Sequence, residues 1–367
     1  MRIAFLSAAK SIHTIRWVNA LAKNGHKVAL YSMPEHKAPS DAFVKEVEVH
    51  YLKYGGAIGY YLGGRELSKL IKIFSPDVLN AHYATGYGTL ARHSKFLPLL
   101  LSVWGSDIYD FPFQGFINRH IVIKNIDSAT AVASTSNVMA EQVRRVYSKE
   151  KQIFITPFGV DTEKFCPALT PHKEGITIGI VKALEPKYGI EYLLRAFSFL
   201  LERLTKEERM PHGGLSLEIY GKGSLLKELS ALAVELNINN KTHFYGQIEH
   251  SQVPMALAEF DIFCVPSDSE SFGVAAVEAM ACGVPVVSSD ADGFCEVMRD
   301  GETGFIVARR DATTMANKLY DLVLDSGLRR CMGEAGRAHV KANYDWRHCV
   351  DKMEQALEQT VRIYGKA

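Results

Sequence analysis

A chain of 367 residues exceeds one ordinary hydrophobic core and suits two domains of roughly 150 to 200 residues each. With 47% hydrophobic and 23% charged residues and a mean hydropathy of -0.03, the composition excludes collagen-like, fibrous and extensively disordered proteins. The net charge of +1 hides an asymmetry: residues 1–170 carry 20 Lys and Arg against 13 Asp and Glu, and the rest carries 22 against 28, which points the first half toward an anionic partner such as a phosphorylated substrate or a membrane surface, with ordinary scatter of surface charge as the alternative.

Short β-branched runs alternate with helical patterns from the first residue, the sequence form of repeated βα units around a parallel sheet. Residues 1–7, followed by Lys10, are too short for a secretory apolar segment and read as a first strand. Strands are expected at 3–7, 27–32, 47–51, 78–81, 99–103, 130–133 and 153–156. The first intervening helix, 14–23, aligns Ile15, Val18 and Ala22 on one face and stops at Gly25. The longest nearly apolar run, 96–104, is broken by Ser102 and spans about half of a membrane-crossing helix.

The alternation pauses at a Pro- and Gly-containing linker, 166–175, and restarts as in a second doubly wound domain. Strands are expected at 176–181, 215–220, 242–245, 262–265, 284–288 and 305–307. Val350, Met353, Leu357 and Val361 then mark a terminal helix over 346–364. Six cysteines without CxxC pairs or zinc-ligand spacing read as reduced thiols of a cytosolic protein.

The strongest chemical signal is the segment 267–287. Glu270 lies in the loop after strand 262–265, and Glu278 about one and a half turns into a helix starting near Phe272 or Gly273. Free N–H groups at that helix start favour a phosphate or sugar oxygen, Gly273 permits close approach, and a carboxylate suits a sugar diol. Spacing alone equally describes two solvated helix-end charges. Lys182 and Lys187 follow strand 176–181, where two cations can clamp a diphosphate or simply face water. Gly221 and Gly223 follow strand 215–220, as ordinary turn glycines or as a bed for a nucleotide. His82 ends strand 78–81, as a satisfied structural histidine or as a donor to phosphate or hydroxyl.

The segment 267–287 resembles the Glu-x7-Glu motif of retaining nucleotide-sugar glycosyltransferases of family GT4. Residues 157–165, running Pro157, Phe158, Gly159, Val160, Asp161 through Phe165, resemble that family's segment before its interdomain linker. The likeness covers about residues 1–350. It implies an α/β GT-B fold, two facing Rossmann-like doubly wound domains with an interdomain cleft: an acceptor domain at 1–169, a donor domain at 170–345, and a helix at 346–367 packing back toward the first. It also implies transfer of a sugar from a nucleoside diphosphate, UDP ahead of GDP, to an acceptor hydroxyl with retention, with no bound metal and no cofactor beyond the donor.

Residue by residue, the resemblance puts Glu270 beside the donor sugar and Glu278 on the ribose hydroxyls. Phe272, Gly273 and Val274 line the donor, with Lys182 and Lys187 on its diphosphate, although the family usually has Arg in the place of Lys182. His82 faces the donor sugar and phosphates, while Gly221, Gly223, Gln247 and Ile248 flank the nucleotide. Ser11, with Lys10, stands where relatives often have paired glycines. Asp107 orients the acceptor after Trp104, where many relatives carry His, and Arg16 with Trp17 belongs to a subgroup acceptor site unless Trp17, as its type favours, is packing. The preferred acceptor is a cell-surface saccharide, lipopolysaccharide or exopolysaccharide, on a lipid carrier. Either it is met from the cytosol at an anionic membrane through Arg144, Arg145, Lys149 and Lys151 and through Phe111, Phe113 and Phe116, or the positive charge belongs to a basic acceptor pocket with no membrane contact. The competing readings are a nucleotide-sugar epimerase or hydrolase of similar architecture, and a non-catalytic sugar-nucleotide-binding protein. A dehydrogenase is disfavoured because the first βα turn lacks GxGxxG.

Overall fold

The computed structural model describes residues 1–168 and 174–366, which divide into two compact units, Met1–Phe158 with Arg347–Ala367, and Gly159–Trp346. The boundary expected between 169 and 170 lies outside the described residues.

The first unit holds β1 (Arg2–Leu6), β2 (Lys27–Ser32), β3 (Val47–Tyr51), β4 (Val78–His82), β5 (Leu99–Val103), β6 (Ala131–Ser134) and β7 (Ile153–Ile155). They form one sheet in the order β3-β2-β1-β4-β5-β6-β7, every neighbour parallel. All residues of β4 and β5 are buried, the signature of a sheet covered by helices on both faces. The second unit holds β8 (Ile176–Val181), β9 (Leu215–Tyr220), β10 (Thr242–Gly246), β11 (Ile262–Val265), β12 (Val286–Ser289) and β13 (Gly304–Val307), again all parallel, in the order β10-β9-β8-β11-β12-β13. Two doubly wound parallel-sheet α/β units and a helical C-terminus agree with the architecture expected from the sequence.

Strand edges differ from the sequence reading where backbone chemistry intervenes. The strand expected from 284 starts at Val286, because Gly283 is left-handed at φ +74° and Pro285 has no N–H to give a ladder. The first helix begins two residues early, at Ile12. The terminal helix spans Trp346–Tyr364 and buries Val350, Met353 and Leu357. Its Glu354 accepts from Asn24 at 2.8 Å and lies 3.0 Å from His26, tying it to the first unit. Fully buried side chains such as Trp17 and Phe5 in one unit and Phe263 and Phe294 in the other contribute about 1.5–3 kcal/mol each.

In each sheet the strand order reverses once beside the first strand. The connections after β1 and β4, and after β8 and β11, leave on opposite sides, and each opens a crevice at the carboxyl ends of the strands.

Candidate functional site

At the second switch point the loops after β8 and β11 bring Lys182 and Glu270, 88 residues apart in sequence, to an Nζ–Oε2 distance of 2.6 Å. Both side chains are only 14% exposed. Burial alone would lower the Lys182 pKa, but the Glu270 carboxylate holds the ammonium above its ordinary value. The Lys182 and Lys187 ammonium groups lie 4.5 and 5.0 Å from the Tyr188 ring centroid, so one aromatic ring contacts both cations. Lys187 is exposed, and its carbonyl accepts the Asp268 N–H at 2.9 Å, joining the two loops.

The glycines after β9 explain how Lys182 is held. Gly221 adopts φ +154°, and any Cβ there would collide with the Lys182 carbonyl; one at Gly223 would collide with the Leu184 carbonyl. Lys182 N–H donates to Tyr220 at 2.9 Å and Leu184 N–H to Lys222 at 3.0 Å. In this structure the atoms that crowd these glycines belong to the protein's own Lys182 loop.

The Glu270 loop is fixed from three sides. Gly293 N–H donates to the Glu270 carbonyl at 2.9 Å, and the Ser289 hydroxyl donates to the Ser267 carbonyl. Arg310 clasps the Asp268 carboxylate at 2.7 and 3.1 Å, while Arg309 donates to the Asp268 carbonyl at 3.0 Å. Gly273, left-handed at φ +96°, then starts the helix Val274–Ala281 one residue later than expected. Phe272 is 2% exposed and packs its ring edge-on against Tyr344, so any contact with a ligand is made by its backbone. Val274 is half-buried in the first turn, where N–H groups lack helical carbonyl partners.

Glu278, in the second turn of that helix, is 7% exposed, and its Oε1 lies 3.4 Å from His250 Nε2. A register shift between Phe244 and Gly246 ends β10, and Gln247 and Ile248 follow it, exposed and half-buried respectively. The sequence reading missed Tyr188, His250, Arg309 and Arg310. The first two are neighbours of segments already singled out; the arginines follow β13 with no motif to mark them.

The first switch point brings other residues together. His82 Nδ1 lies 3.0 Å from Ser7 Oγ, itself 2.7 Å from Thr14 Oγ1, and the ring packs 4.4 Å from Trp104 and edge-on to Phe5. The side chain has no exposed surface, and Nε2 lacks a partner among the described residues. Burial first, then His13, lowers its pKa to about 3, so the ring is neutral at pH 7 and its hydrogen bonds are those of an uncharged imidazole. Between about 3 and the unfolded histidine value of ~6.5 the unfolded chain binds the extra proton, so stability rises with pH through that window and the contribution is flat above it. Thermal melts from pH 7.5 to 5 should decline more steeply for the native chain than for His82→Gln; equal slopes would exonerate His82.

Asp107 is 1% exposed, and its carboxylate accepts N–H groups from Ala84 at 2.8 Å, Gly105 at 2.8 Å and Trp104 at 3.1 Å. Burial raises its pKa despite these bonds. The carboxylate therefore clamps two loops. Ser11 precedes the helix Ile12–Lys23 without capping it through its side chain, Lys10 donates to the Glu35 carbonyl at 3.3 Å, and Trp17 is core at 1% exposure. In the basic run, Arg144 pairs with Glu141 and Lys149 with Asp127, while Lys151 donates to the Ala129 carbonyl. Phe113 and Phe116 are exposed by 57% and 84%. Among the described residues no cluster of His, Cys, Asp or Glu is placed to hold a metal ion, and no helix is long and apolar enough to cross a membrane.

Comparison with known proteins bears on the same segments. The family described as Glycosyl transferases group 1 matches residues 161–339, and the family described as Glycosyl transferase 4-like matches residues 2–136. A D-inositol 3-phosphate glycosyltransferase of Corynebacterium jeikeium is 32% identical over 311 residues, covering 78% of this chain and 73% of that one. Among solved structures, sucrose-phosphate synthase from Thermosynechococcus elongatus superposes with a TM-score of 0.83 at 20% identity over the whole of both chains. Anabaena HepE in complex with UDP and glucose superposes at 0.79 and 17% identity, covering 98% of this chain and 100% of that one.

Proposed function

This chain belongs to the group 1, GT4-type glycosyltransferases, and we propose that it moves a sugar from a UDP-sugar to an acceptor hydroxyl with retention of configuration and without a bound metal, in the assembly of a cell-surface polysaccharide or lipopolysaccharide. The observation that carries the reading is the Lys182–Glu270 pair at the switch point, with Lys187 beside it and Glu278 near enough to add to the charge around Lys182.

In this mechanism the donor diphosphate takes over the Lys182 charge, joined by Lys187 and the first N–H groups of the helix Val274–Ala281, and negative charge growing on the leaving oxygens is stabilised there. Glu270, released from its lysine, accepts from the donor sugar hydroxyls. Glu278 accepts from the ribose, with His250 holding the carboxylate. The departing phosphate oxygen takes the acceptor proton on the same face, which yields retention without a base on the opposite face. His82 acts as a neutral hydrogen-bonding group, and Asp107 serves the acceptor through the loops it clamps. Gln247 and Ile248 flank the nucleotide base. UDP is favoured because the similar HepE structure is a complex with UDP and glucose. Peripheral contact with an anionic membrane is part of the reading, carried by exposed Phe113 and Phe116 more than by the paired basic run, and co-sedimentation with anionic vesicles checks it.

The test is a panel of UDP- and GDP-sugars with saccharide acceptors, with and without EDTA, and the anomeric configuration of the product read by NMR. The expected result is acceptor-dependent UDP release, a retained anomer and activity unaffected by EDTA. An inverted product, or complete loss restored by manganese, overturns the mechanism; UDP release that ignores every acceptor marks a hydrolase or epimerase.

A further inference from the structure

A second concavity, of about 430 Å³, lies wholly within the first unit, at the carboxyl ends of β1, β2, β4 and β5. Its volume is in the range of small-molecule sites, roughly 300–1,000 Å³. We propose that it is a specificity pocket for an uncharged polyhydroxylated ring, and that Tyr60, Phe111, Asp110 and Gln114 select such an acceptor against a phosphorylated one. The proposal rests on the glycosyltransferase reading above and adds the chemical class of the acceptor.

The walls are aromatic. Tyr60 and Tyr87 meet edge to face at 5.4 Å and 78°, and Tyr60 lies so close over Gly86 that a Cβ there would come within 2.6 Å of the ring. Tyr83 lines the same space from a left-handed backbone, φ +71°, held by its N–H to the Ser102 carbonyl at 2.8 Å and by Gly88 N–H to its own carbonyl at 3.0 Å. A non-glycine residue kept in that conformation costs of order 1–3 kcal/mol, and such strain gathers at binding sites. Phe111 completes the apolar lining.

The floor is polar but already satisfied. Asp107 is taken up by three backbone N–H groups, and the Tyr87 hydroxyl accepts from Met33 N–H at 3.2 Å and lies 2.7 Å from His36 Nδ1. At the rim, Ser106, Asp110 and Gln114 are exposed and face solvent with hydroxyl, carboxylate and amide groups. A pyranose or cyclitol matches this division, with apolar C–H faces for the aromatic walls and hydroxyl edges for the rim.

Charge decides against an anion. The lining includes the carboxylates of Asp107 and Asp110 and, among the described residues, no Lys or Arg. Burial, then the nearby Lys10, lowers the His36 pKa, with Glu35 opposing, so the imidazole is uncharged near neutrality. The Lys10 ammonium is directed to the Glu35 carbonyl. A phosphate entering here meets carboxylates and leaves water without a cation to replace it, which is unfavourable. The positive surplus of the first half therefore lies elsewhere. This sets the chain apart from its Corynebacterium relative, whose name specifies an inositol 3-phosphate.

Saturation-transfer NMR and calorimetry on the intact chain, with methyl α-glucopyranoside, myo-inositol, myo-inositol 3-phosphate and inorganic phosphate as probes, test the proposal. The uncharged rings should bind and the two phosphates should neither bind nor compete. Tyr60→Ala and Phe111→Ala should each raise the dissociation constant about tenfold, the value of one aromatic contact, with nucleotide affinity unchanged. Asp110→Lys, or Gln114→Lys at the exposed rim where folding is not at stake, should shift the preference about tenfold toward myo-inositol 3-phosphate. Tighter binding of the phosphorylated ring by the native chain, no binding of either uncharged ring, or binding indifferent to Tyr60 and Phe111 each overturns the pocket while leaving sugar transfer standing. Binding as expected without transfer from any nucleotide sugar would instead sink the enzymatic reading.

Discussion

Replacing Lys182 with alanine is expected to lower turnover by about 10²- to 10³-fold, the usual consequence of removing one preorganised charge from the site where charge develops. The effect should fall on kcat more than on the donor Michaelis constant, because the charge Lys182 meets grows as the diphosphate departs. The substitution also leaves Glu270, 14% exposed, without its cation. Stability should drop by part of the ~3–5 kcal/mol that breaking a fully buried pair costs. A Lys182→Met/Glu270→Gln double variant separates the two consequences: it should recover most of the stability and none of the turnover. Lys182→Arg keeps the charge and should stay within about tenfold of the native rate. Steady-state kinetics and thermal melts together decide, and a folded Lys182→Ala enzyme with native kcat would remove this residue from the reaction.

Glu278→Ala should raise the donor's dissociation constant about tenfold to a hundredfold with little change in kcat, since a hydrogen bond from a sugar hydroxyl to a buried carboxylate is worth roughly 1.5–3 kcal/mol. His250, 3.4 Å away and 44% exposed in its side chain, supports the carboxylate from the solvent side. His250→Ala should therefore weaken binding by only a few fold, because an exposed pair contributes less than about 1 kcal/mol. Calorimetry with the nucleoside diphosphate reads both. Equal affinity of native and Glu278→Ala protein would place the ribose elsewhere.

Most of the strands are legible in the amino-acid pattern alone. The runs at 27–32, 99–103, 176–181 and 262–265 coincide with strands, because a strand buried on both faces of a parallel sheet must be apolar almost throughout, while 47–51 and 215–220 coincide with half-exposed strands that betray themselves by β-branched and aromatic residues and, at 215–220, by strict alternation of buried and half-buried positions. The terminal helix is equally plain from the spacing of Val350, Met353 and Leu357. Edges are less so: at 284–288 apolar composition continues past Gly283 and through Pro285, where hydrogen bonding does not.

For the site, sequence and structure divide the work differently. Local pattern places Glu270, Glu278, Lys182 and Lys187 at a strand end, a glycine-started helix and a βα turn, but describes solvated charges equally well; their roles at a site are what the family resemblance implies. That Lys182 bonds Glu270 across 88 residues is a property of strand order, which sets β8 beside β11 and which periodicity does not encode. The same limit applies to Gly221 and Gly223: the sequence marks them as turn glycines, but only packing reveals that the Lys182 and Leu184 carbonyls leave no room for a side chain. His82 and Asp107 make the point for burial. Their residue types announce possible chemistry, whereas the lowered pKa of His82 follows from burial among groups distant in the chain, and the bond that ties Asp107 to Ala84, 23 residues away, depends on strands β4 and β5 lying side by side. Local periodicity and short motifs therefore suffice for the strands of both units, the family resemblance and the residues to watch, whereas which charges pair, which are buried and where the pocket of the first unit lies depend on how non-adjacent strands line up and appear only in the folded chain.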